Sequence, residues 1–445
     1  MRLLKGKRVL VLGLGISGQS AVKFLLKRGA SVTGVDRNPH AAANENVSGL
    51  CIEGMKFQHE DAAIDIGQFD FVVASPGIST NHKLCRGALA YGLEVIGEVE
   101  LACREITQKC VGITGTNGKT TVTLLTAHIL ESAGIKGRAL GNIGIPLTTP
   151  LFTLDEVLVI ELSSFQLETL KTPFLDAGVI LNITPDHLDR YSSIESYAAA
   201  KIGMQKIIKN SGKFYVEHKC QKEYRQMFTT DQCDLYGYDP EDYLYTDTED
   251  VYCHGEKIFS LPADYRGKRS HDLENMIASY ALCSALSVST EQFLKGLNTF
   301  QKPPHRIELV GTIGGVNYYD DSKGTNIDAV IRAVDGLNGE VILIAGGVDK
   351  GFPYTSWAGA FKEKVKTICA IGQSKEKIKN DLGKLIPVRL FNRMDEAVEY
   401  ASNLAKAGDN VLLSPGCSSY DMFKDYAHRG QEFQRLINTL KENKE

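Results

Sequence analysis

Val111–Thr121, VGITGTNGKTT, brings together the residue types that hold a polyphosphate. The spacing predicts a short buried strand over Cys110–Thr114 and then a helix, with Val122, Leu125, Ile129, Leu130 and Ala133 on its apolar face and Gly134 as its stop. A strand, a glycine-rich turn and a helix opening on Lys119 and Thr120 aim backbone N–H groups and a positive helix end at an anion. Lys119 adds a point charge, and the Thr120 hydroxyl is placed to hold Mg²⁺. Gly115, Thr116, Asn117, Gly118 and Thr121 complete the cradle. The usual spacing of such loops asks for glycine where Ile113 stands; the glycines here are Gly112, Gly115 and Gly118. The alternative is an ordinary glycine-rich turn carrying a chance lysine.

Further groups follow on the same side of the predicted sheet. The apolar run Val157–Ile160 delivers Glu161 at a strand's C-terminal end, where an acidic residue in phosphate-loop proteins holds Mg²⁺. Ser163 stands just beyond it, and Asn142 lies in a second backbone-rich turn, Gly141–Gly144. Strand Ala177–Leu181 runs into a loop that puts His187 beside Asp186 and Asp189, either facing solvent or serving as a ligand. Lys201 ends a small-residue helical run from Ile194, and by the residues alone it is a surface lysine. Asn275, early in a predicted helix, could hydrogen-bond a base edge or serve as a buried polar residue.

These side chains need parallel sheets to position them, and the chain supplies the pattern three times. Arg8–Asp36 alternates strand, helix and strand around Gly13, Gly15 and Gly18, with Asp36 at the ribose-contacting position. Alone, that fingerprint indicates a dinucleotide, although the same turn cradles any diphosphate. A later strand, Phe69–Ala74, enters a tight turn at Ser75–Ile78 that contains Gly77. A small β insertion is expected over about residues 213–261. Pro303 and Pro304 then stiffen a linker into a second doubly wound sheet, with Arg306 at its entrance. That sheet's first strand ends in Asp320-Asp321-Ser322-Lys323. Thr325 and Asp328 form a capping box, which sets Lys323 just ahead of a helix N-terminus. Lys350 and Ser419 lie in two more glycine- or serine-rich strand-end turns, a set suited to a carboxylate or phosphate.

At 445 residues the chain exceeds one core and suggests about three domains. A net charge of −4 offers no field for nucleic acid or anionic lipid. Ten cysteines without a CxxC pair read as small buried residues of a reducing, cytoplasmic compartment. The basic N-terminus leads into a strand and not a signal sequence, and no apolar run reaches the roughly 20 residues of a membrane helix.

GITGTNGKT and GNIG, with ELSSFQLE, HLDRY, DDSKGTN and SPGCSSYDMFKDYAHRG, resemble the Mur ligase family along essentially the whole chain. The last four segments are similar to its D-glutamate-adding members. The resemblance implies an α/β protein of three domains. Residues 1–97 form a Rossmann-like domain for a uridine sugar nucleotide, 98–302 a P-loop domain for ATP, and 303–445 a Rossmann-like doubly wound domain for the amino acid. It implies small-molecule substrates, UDP-N-acetylmuramoyl-L-alanine and D-glutamate, joined through an acyl phosphate in peptidoglycan precursor synthesis by a cytoplasmic monomer. Carried over by motif, Lys119 and Thr120 meet the β- and γ-phosphates and the first of two Mg²⁺ ions. Glu161 and His187 become metal ligands. Asn142 and Asn275 contact the nucleotides, with Ser163 on the sugar-nucleotide side. Ile16, Ser17, Asp36 and Arg37 surround uracil, and Ser75 and Gly77 lie near the diphosphate. Arg306 and Asp321 reach ATP. Lys323, Thr325, Lys350, Ser419 and Tyr426 face D-glutamate or the transferring group. Lys201 matches the family's carbamylated lysine, in which a carbamate turns a cation into an oxygen ligand for the second metal. Three other readings are a neighbouring ligase adding a different amino acid, a nicotinamide dehydrogenase fused to a regulatory NTPase, and a non-catalytic nucleotide sensor.

Overall fold

A computed structural model describes residues 4–149, 152–188, 190–229, 233–351 and 353–442. The chain divides into two compact units, residues 1–183 with 198–300, and 184–197 with 301–445.

The first unit holds two sheets. Strands β1 (Arg8–Leu12), β2 (Ser31–Asp36), β3 (Lys56–His59), β4 (Phe71–Ala74) and β5 (Glu94–Gly97) pair in parallel, in the order 3-2-1-4-5. β1 is apolar without alternation because both its faces are covered. Val9 and Val11 pack with Ala21, Val22 and Leu25 of helix Ile16–Lys27, while Leu10 and Leu12 pack with Leu84, Cys85 and Ala88 of helix Lys83–Ala90.

The second sheet of this unit has nine strands, β6 (Lys109–Thr114), β7 (Gly137–Gly141), β8 (Val157–Glu161), β9 (Leu175–Ile180), β10 (Ile208–Glu217), β11 (Asp234–Gly237), β12 (Leu244–Thr246), β13 (Asp250–Cys253) and β14 (Glu256–Ser260). Their order is 14-13-12-11-10-9-6-8-7, so β6 lies between β9 and β8. The expected insertion over 213–261 is therefore no separate element. β10 pairs in parallel with β9 and carries the sheet outward through β11 and β12, and only β13 and β14 turn antiparallel. Helices Lys119–Ser132 and His271–Ala285 share one core over this sheet.

In the second unit, β15 (Glu308–Ile313), β16 (Val316–Asp320), β17 (Val341–Gly346), β18 (Val365–Ile371), β19 (Val388–Leu390) and β20 (Asn410–Leu413) take the order 15-16-20-17-18-19. Five are parallel, as expected of a doubly wound sheet. β15, absent from the sequence reading, is an antiparallel edge added by a two-glycine hairpin at Gly314 and Gly315. The capping expectation at Thr325 and Asp328 is corrected here. Helix Ile327–Gly336 is capped by Asn326, whose side chain accepts from Ala329 N at 2.8 Å, and Asp328 instead pairs with Arg332 at 2.6 Å. Asn is as good a cap as Thr, and one residue of register decided which side chain reached the free N–H.

Candidate active site

The glycine-rich turn joins β6 to helix Lys119–Ser132. Gly118 has φ +87°, and a Cβ there would stand 2.3 Å from Asn275 Oδ1; a Cβ on Gly115, at φ +151°, would stand 2.9 Å from Leu181 Cβ. The turn is thus closed against the next strand end and against helix His271–Ala285. Asn182 braces it. Its backbone carbonyl accepts from Thr116 N at 2.9 Å, its Oδ1 accepts from Asn117 N at 2.9 Å, and its Nδ2 donates to Asn117 O at 3.1 Å. No side chain caps the helix at Gly118. First-turn N–H groups lack intrahelical partners, which makes such an end a site for anions. Lys119 Nζ arches back over the turn, donating to Gly115 O and Thr116 O, each at 2.8 Å. Lys201 is not at the surface. It is 1 % exposed, and its Nζ donates to Gly115 O at 2.7 Å.

Glu161, at the end of β8, is 2 % exposed. Its Oε1 accepts from Asn142 Nδ2 at 2.8 Å, while Oε2 is buried without a hydrogen-bond partner. Leaving a carboxylate oxygen buried and unpaired costs about 1–3 kcal/mol, a cost that coordination of a hard cation removes. Ser163 caps the short helix Ser164–Leu167 in a capping box with Gln166.

At the first sheet, Gly13 has φ +80° and Ser75 Oγ donates to Gly13 O at 2.7 Å, tying the two strand-end turns together. Ile78 N donates to Ser75 O at 2.8 Å, which makes the expected tight turn. Asp36 spends both oxygens on this frame, Oδ2 accepting from Leu14 N at 2.8 Å and Oδ1 from Asn38 N at 2.9 Å. Ile16 is 68 % exposed, Arg37 and Gly77 are exposed and Ser17 is half-buried, so a ligand would find open side chains at this edge.

In the second unit His187 takes a left-handed backbone, φ +57°, with its Nε2 3.6 Å from Asp186 Oδ2. Asp189 lies outside the described residues. Lys350 Nζ meets Asp186 Oδ1 at 3.1 Å, both side chains largely buried. Lys323 Nζ stands 3.7 Å over the Tyr426 ring, a cation–π contact that holds the ammonium at the end of β16. Asp321 is buried, and loss of solvation pushes its carboxyl up to about 7 against the pull of Ser414 Oγ, 2.6 Å away, and of Arg306. Ser419 is 3 % exposed in the turn after β20, and Thr325 is half-buried ahead of the Asn326 cap.

Comparison with known proteins completes this picture. Family models match residues 7–97 as a Mur ligase MurD-like N-terminal domain, 113–283 as a Mur ligase middle domain and 305–417 as a Mur ligase glutamate ligase domain. The chain belongs to the Mur ligase family. The UDP-N-acetylmuramoylalanine--D-glutamate ligase of Protochlamydia amoebophila is 49 % identical to this Mur ligase over 98 % of each chain. Its counterpart in Geobacter metallireducens is 37 % identical, again over 98 % of each. Among solved structures, the UDP-N-acetylmuramate-alanine ligase of Thermotoga maritima superposes with a TM-score of 0.61 at 16 % identity, covering 98 % of this chain and 100 % of that one. The Thermotoga maritima MurF ligase in complex with ADP gives 0.59 at 15 %, covering both chains fully. These likenesses show that the fold is shared.

Within the first unit of this Mur ligase, Gly115, Lys119, Lys201 and Asn275 converge on one turn, and Glu161 joins Asn142. Two supporting residues escaped the sequence reading. Asn182 braces the phosphate turn, and its position in ILNIT, just past a predicted strand, was the available signal. Arg429, 1 % exposed, donates from Nε to Ser322 Oγ at 2.9 Å, from Nη2 to Ser322 O at 2.9 Å and from Nη1 to Cys417 O at 3.1 Å. It clamps the Lys323 and Ser419 turns together. Burial lowers its pKa to about 10, which still leaves it charged.

Proposed function

We infer that this chain is an ATP-dependent ligase that joins the carboxylate of UDP-N-acetylmuramoyl-L-alanine to the amine of D-glutamate, releasing ADP and phosphate. The full-length relative at 49 % identity carries that conclusion. It is a step of peptidoglycan precursor synthesis and so of cell wall biogenesis. Among the described residues no helix is long and apolar enough to cross a membrane. Residues 1–97, 98–302 and 303–445 are assigned to the sugar nucleotide, ATP and the amino acid respectively.

The chemistry proceeds in two displacements. The substrate carboxylate attacks the γ-phosphorus of ATP, the bond to the β-phosphate oxygen breaks, and ADP leaves an acyl phosphate. The neutral amine of D-glutamate then adds to the acyl carbon, and the tetrahedral species expels phosphate as the amine loses its proton. Lys119 and the first-turn N–H groups spread the charge of the phosphates, the main demand of phosphoryl transfer. Thr120, Glu161 and His187 are assigned to Mg²⁺, and the bare Oε2 of Glu161 supports that assignment. The ion supplies charge neutralisation and a fixed phosphate geometry when bound. Asn275, packed on Gly118, is assigned to the nucleotide, and Arg306 and Asp321 are assigned to ATP. Lys323, Thr325, Lys350, Ser419 and Tyr426 are assigned to D-glutamate; Ile16, Ser17, Asp36, Arg37, Ser75, Gly77, Asn142 and Ser163 to the sugar nucleotide.

Phosphate release should be stimulated by D-glutamate and not by L-glutamate, L-lysine or meso-diaminopimelate. A diamino acid brings a second cation towards Lys323 and Lys350, a like-charge cost of order 1 kcal/mol or more. Equal turnover with a diamino acid would reassign the protein to a neighbouring ligase.

Lys201 is proposed to carry a carbamate that ligates a second Mg²⁺. A carbamate retains one N–H for Gly115 O and presents two oxygens in place of a buried ammonium. Formation requires the neutral amine, so activity should fall on exhaustive CO₂ removal at mildly acid pH and return with bicarbonate. Full activity of Lys201→Ala refutes the assignment.

A further inference from the structure

Asp349 immediately precedes Lys350. An ionised carboxylate there adds negative charge to the turn and repels an arriving dicarboxylate. Lys350 already shares its charge with Asp186, so an uncompensated Asp349 would leave the turn net negative. The structure supplies the counter-charge from behind. Lys377 Nζ, on helix Lys375–Leu382, lies 2.6 Å from Asp349 Oδ2 and 5.6 Å from the centre of the Tyr354 ring. The Tyr354 hydroxyl, on a side chain 1 % exposed, donates to Asp349 Oδ1 at 3.4 Å and stands 2.9 Å from Cys417 Sγ. Cys417 lies 3.4 Å from Ser374 Oγ, which accepts from Gly347 N at 3.1 Å. The same helix reaches Tyr354 a second time, with Asp381 Oδ2 accepting from Tyr354 N at 2.9 Å. One helix and one buried phenol therefore join the turn that bears Lys350 to the turn that bears Ser419.

We propose that Lys377 and Tyr354 are positioning residues for the dicarboxylic amino-acid substrate. Lys377 neutralises Asp349 so that a substrate carboxylate approaching the Lys350 turn is not repelled, and Tyr354 fixes the two turns relative to each other. The proposal rests on the assignment of Lys350 and Ser419 to D-glutamate.

Steady-state kinetics on the full chain separate the two levels. Lys350→Ala should raise the KM for D-glutamate at least about tenfold, the loss expected of a charge-assisted contact. Lys377→Met should raise it by about fivefold, as a half-exposed pair allows, with the KM values for ATP and the sugar nucleotide unchanged. Added salt should shrink the Lys377→Met effect, because screening weakens the repulsion. The decisive variant is Asp349→Asn/Lys377→Met, which removes both charges and should return the KM to within about twofold of the parent, a coupling that a packing role would not produce. Tyr354→Phe keeps the ring against Trp357, 5.0 Å away, and should raise the KM by about threefold through the lost hydroxyl; it serves as the test if Lys377→Met fails to fold. If Lys350→Ala raises the KM while Lys377→Met and Tyr354→Phe do not, or if the double variant is as impaired as Lys377→Met, the proposal is overturned. If Lys350→Ala leaves the D-glutamate KM unmoved, the assignment of the pocket fails first and the proposal with it.

Discussion

Asp321 shows how one side chain sets a property that can be measured. Burial raises its carboxyl from the ordinary carboxylate range to about 7. The folded state therefore holds a proton that the unfolded chain has already released, and stability falls as pH rises from about 4 to about 7 and is flat above. At about 1.4 kcal/mol per pKa unit the cost of ionising it is on the order of 4 kcal/mol as an upper bound. Asp321→Asn should melt higher than the parent at pH 8 and lose most of the slope between pH 5 and 7. Parallel melting curves for the two proteins across that window would show the raised carboxyl to be absent. Glu161 is the complementary case. Its Oε1 is anchored by Asn142 and its Oε2 is bare, so the orientation of the unpaired oxygen is set before any cation arrives.

At the scale of elements, the phosphate turn is specified by backbone shape as much as by Lys119. Gly118 sits in the left-handed region with Asn275 Oδ1 where a Cβ would go. Gly118→Ala thus combines a strained φ, which costs about 1–3 kcal/mol, with displacement of Asn275. It should lower ATP affinity by an order of magnitude or more while the sugar-nucleotide affinity holds. Isothermal titration of each ligand separately reads this directly, and equal ATP affinity in the variant would mean the turn does not contact the nucleotide. Arg429 plays the matching part in the other unit. One buried guanidinium satisfies carbonyl and hydroxyl oxygens of two strand-end turns and so ties them together.

For the whole molecule, the decisive question at the first sheet is which ligand stabilises it. The Gly13-x-Gly15-x-x-Gly18 turn fits a dinucleotide by motif, whereas the family fits a uridine diphosphate sugar. In the structure Asp36 has both oxygens engaged by Leu14 N and Asn38 N, and the open edge is formed by Ile16, Ser17, Arg37 and Gly77. A ligand that binds only the folded state at a hundredfold excess over its Kd adds about 2.7 kcal/mol. UDP-N-acetylmuramoyl-L-alanine should therefore raise the melting temperature, and NAD and NADP at the same concentration should not. The opposite order would return this sheet to nicotinamide chemistry.

Local features were legible because they depend on neighbours along the chain. Strand ends at Thr114 and Glu161 and the helix stop at Gly134 follow from spacing and turn chemistry within a few residues. The motifs likewise marked Lys119 and Asn275, which meet at one turn, and Asn142, which donates to Glu161. What the sequence could not supply was any partnership between distant segments. Asn182 meets Asn117 across 65 residues, Lys201 reaches Gly115 across 86 and Arg429 reaches Ser322 across 107. Periodicity carries no term for such pairs, so Lys201 read as a surface lysine and Arg429 drew no separate reading. The same holds for β10, whose polar stretch gives no sign that it pairs with β9, and for the cap at Asn326, where Thr325 offered equal chemistry one position away. Composition and spacing set which groups were available at the strand ends. Only the close packing of the folded chain decided which of them lost water, and burial is what turned Lys201, Glu161, Asp321 and Arg429 from ordinary charges into specific ones.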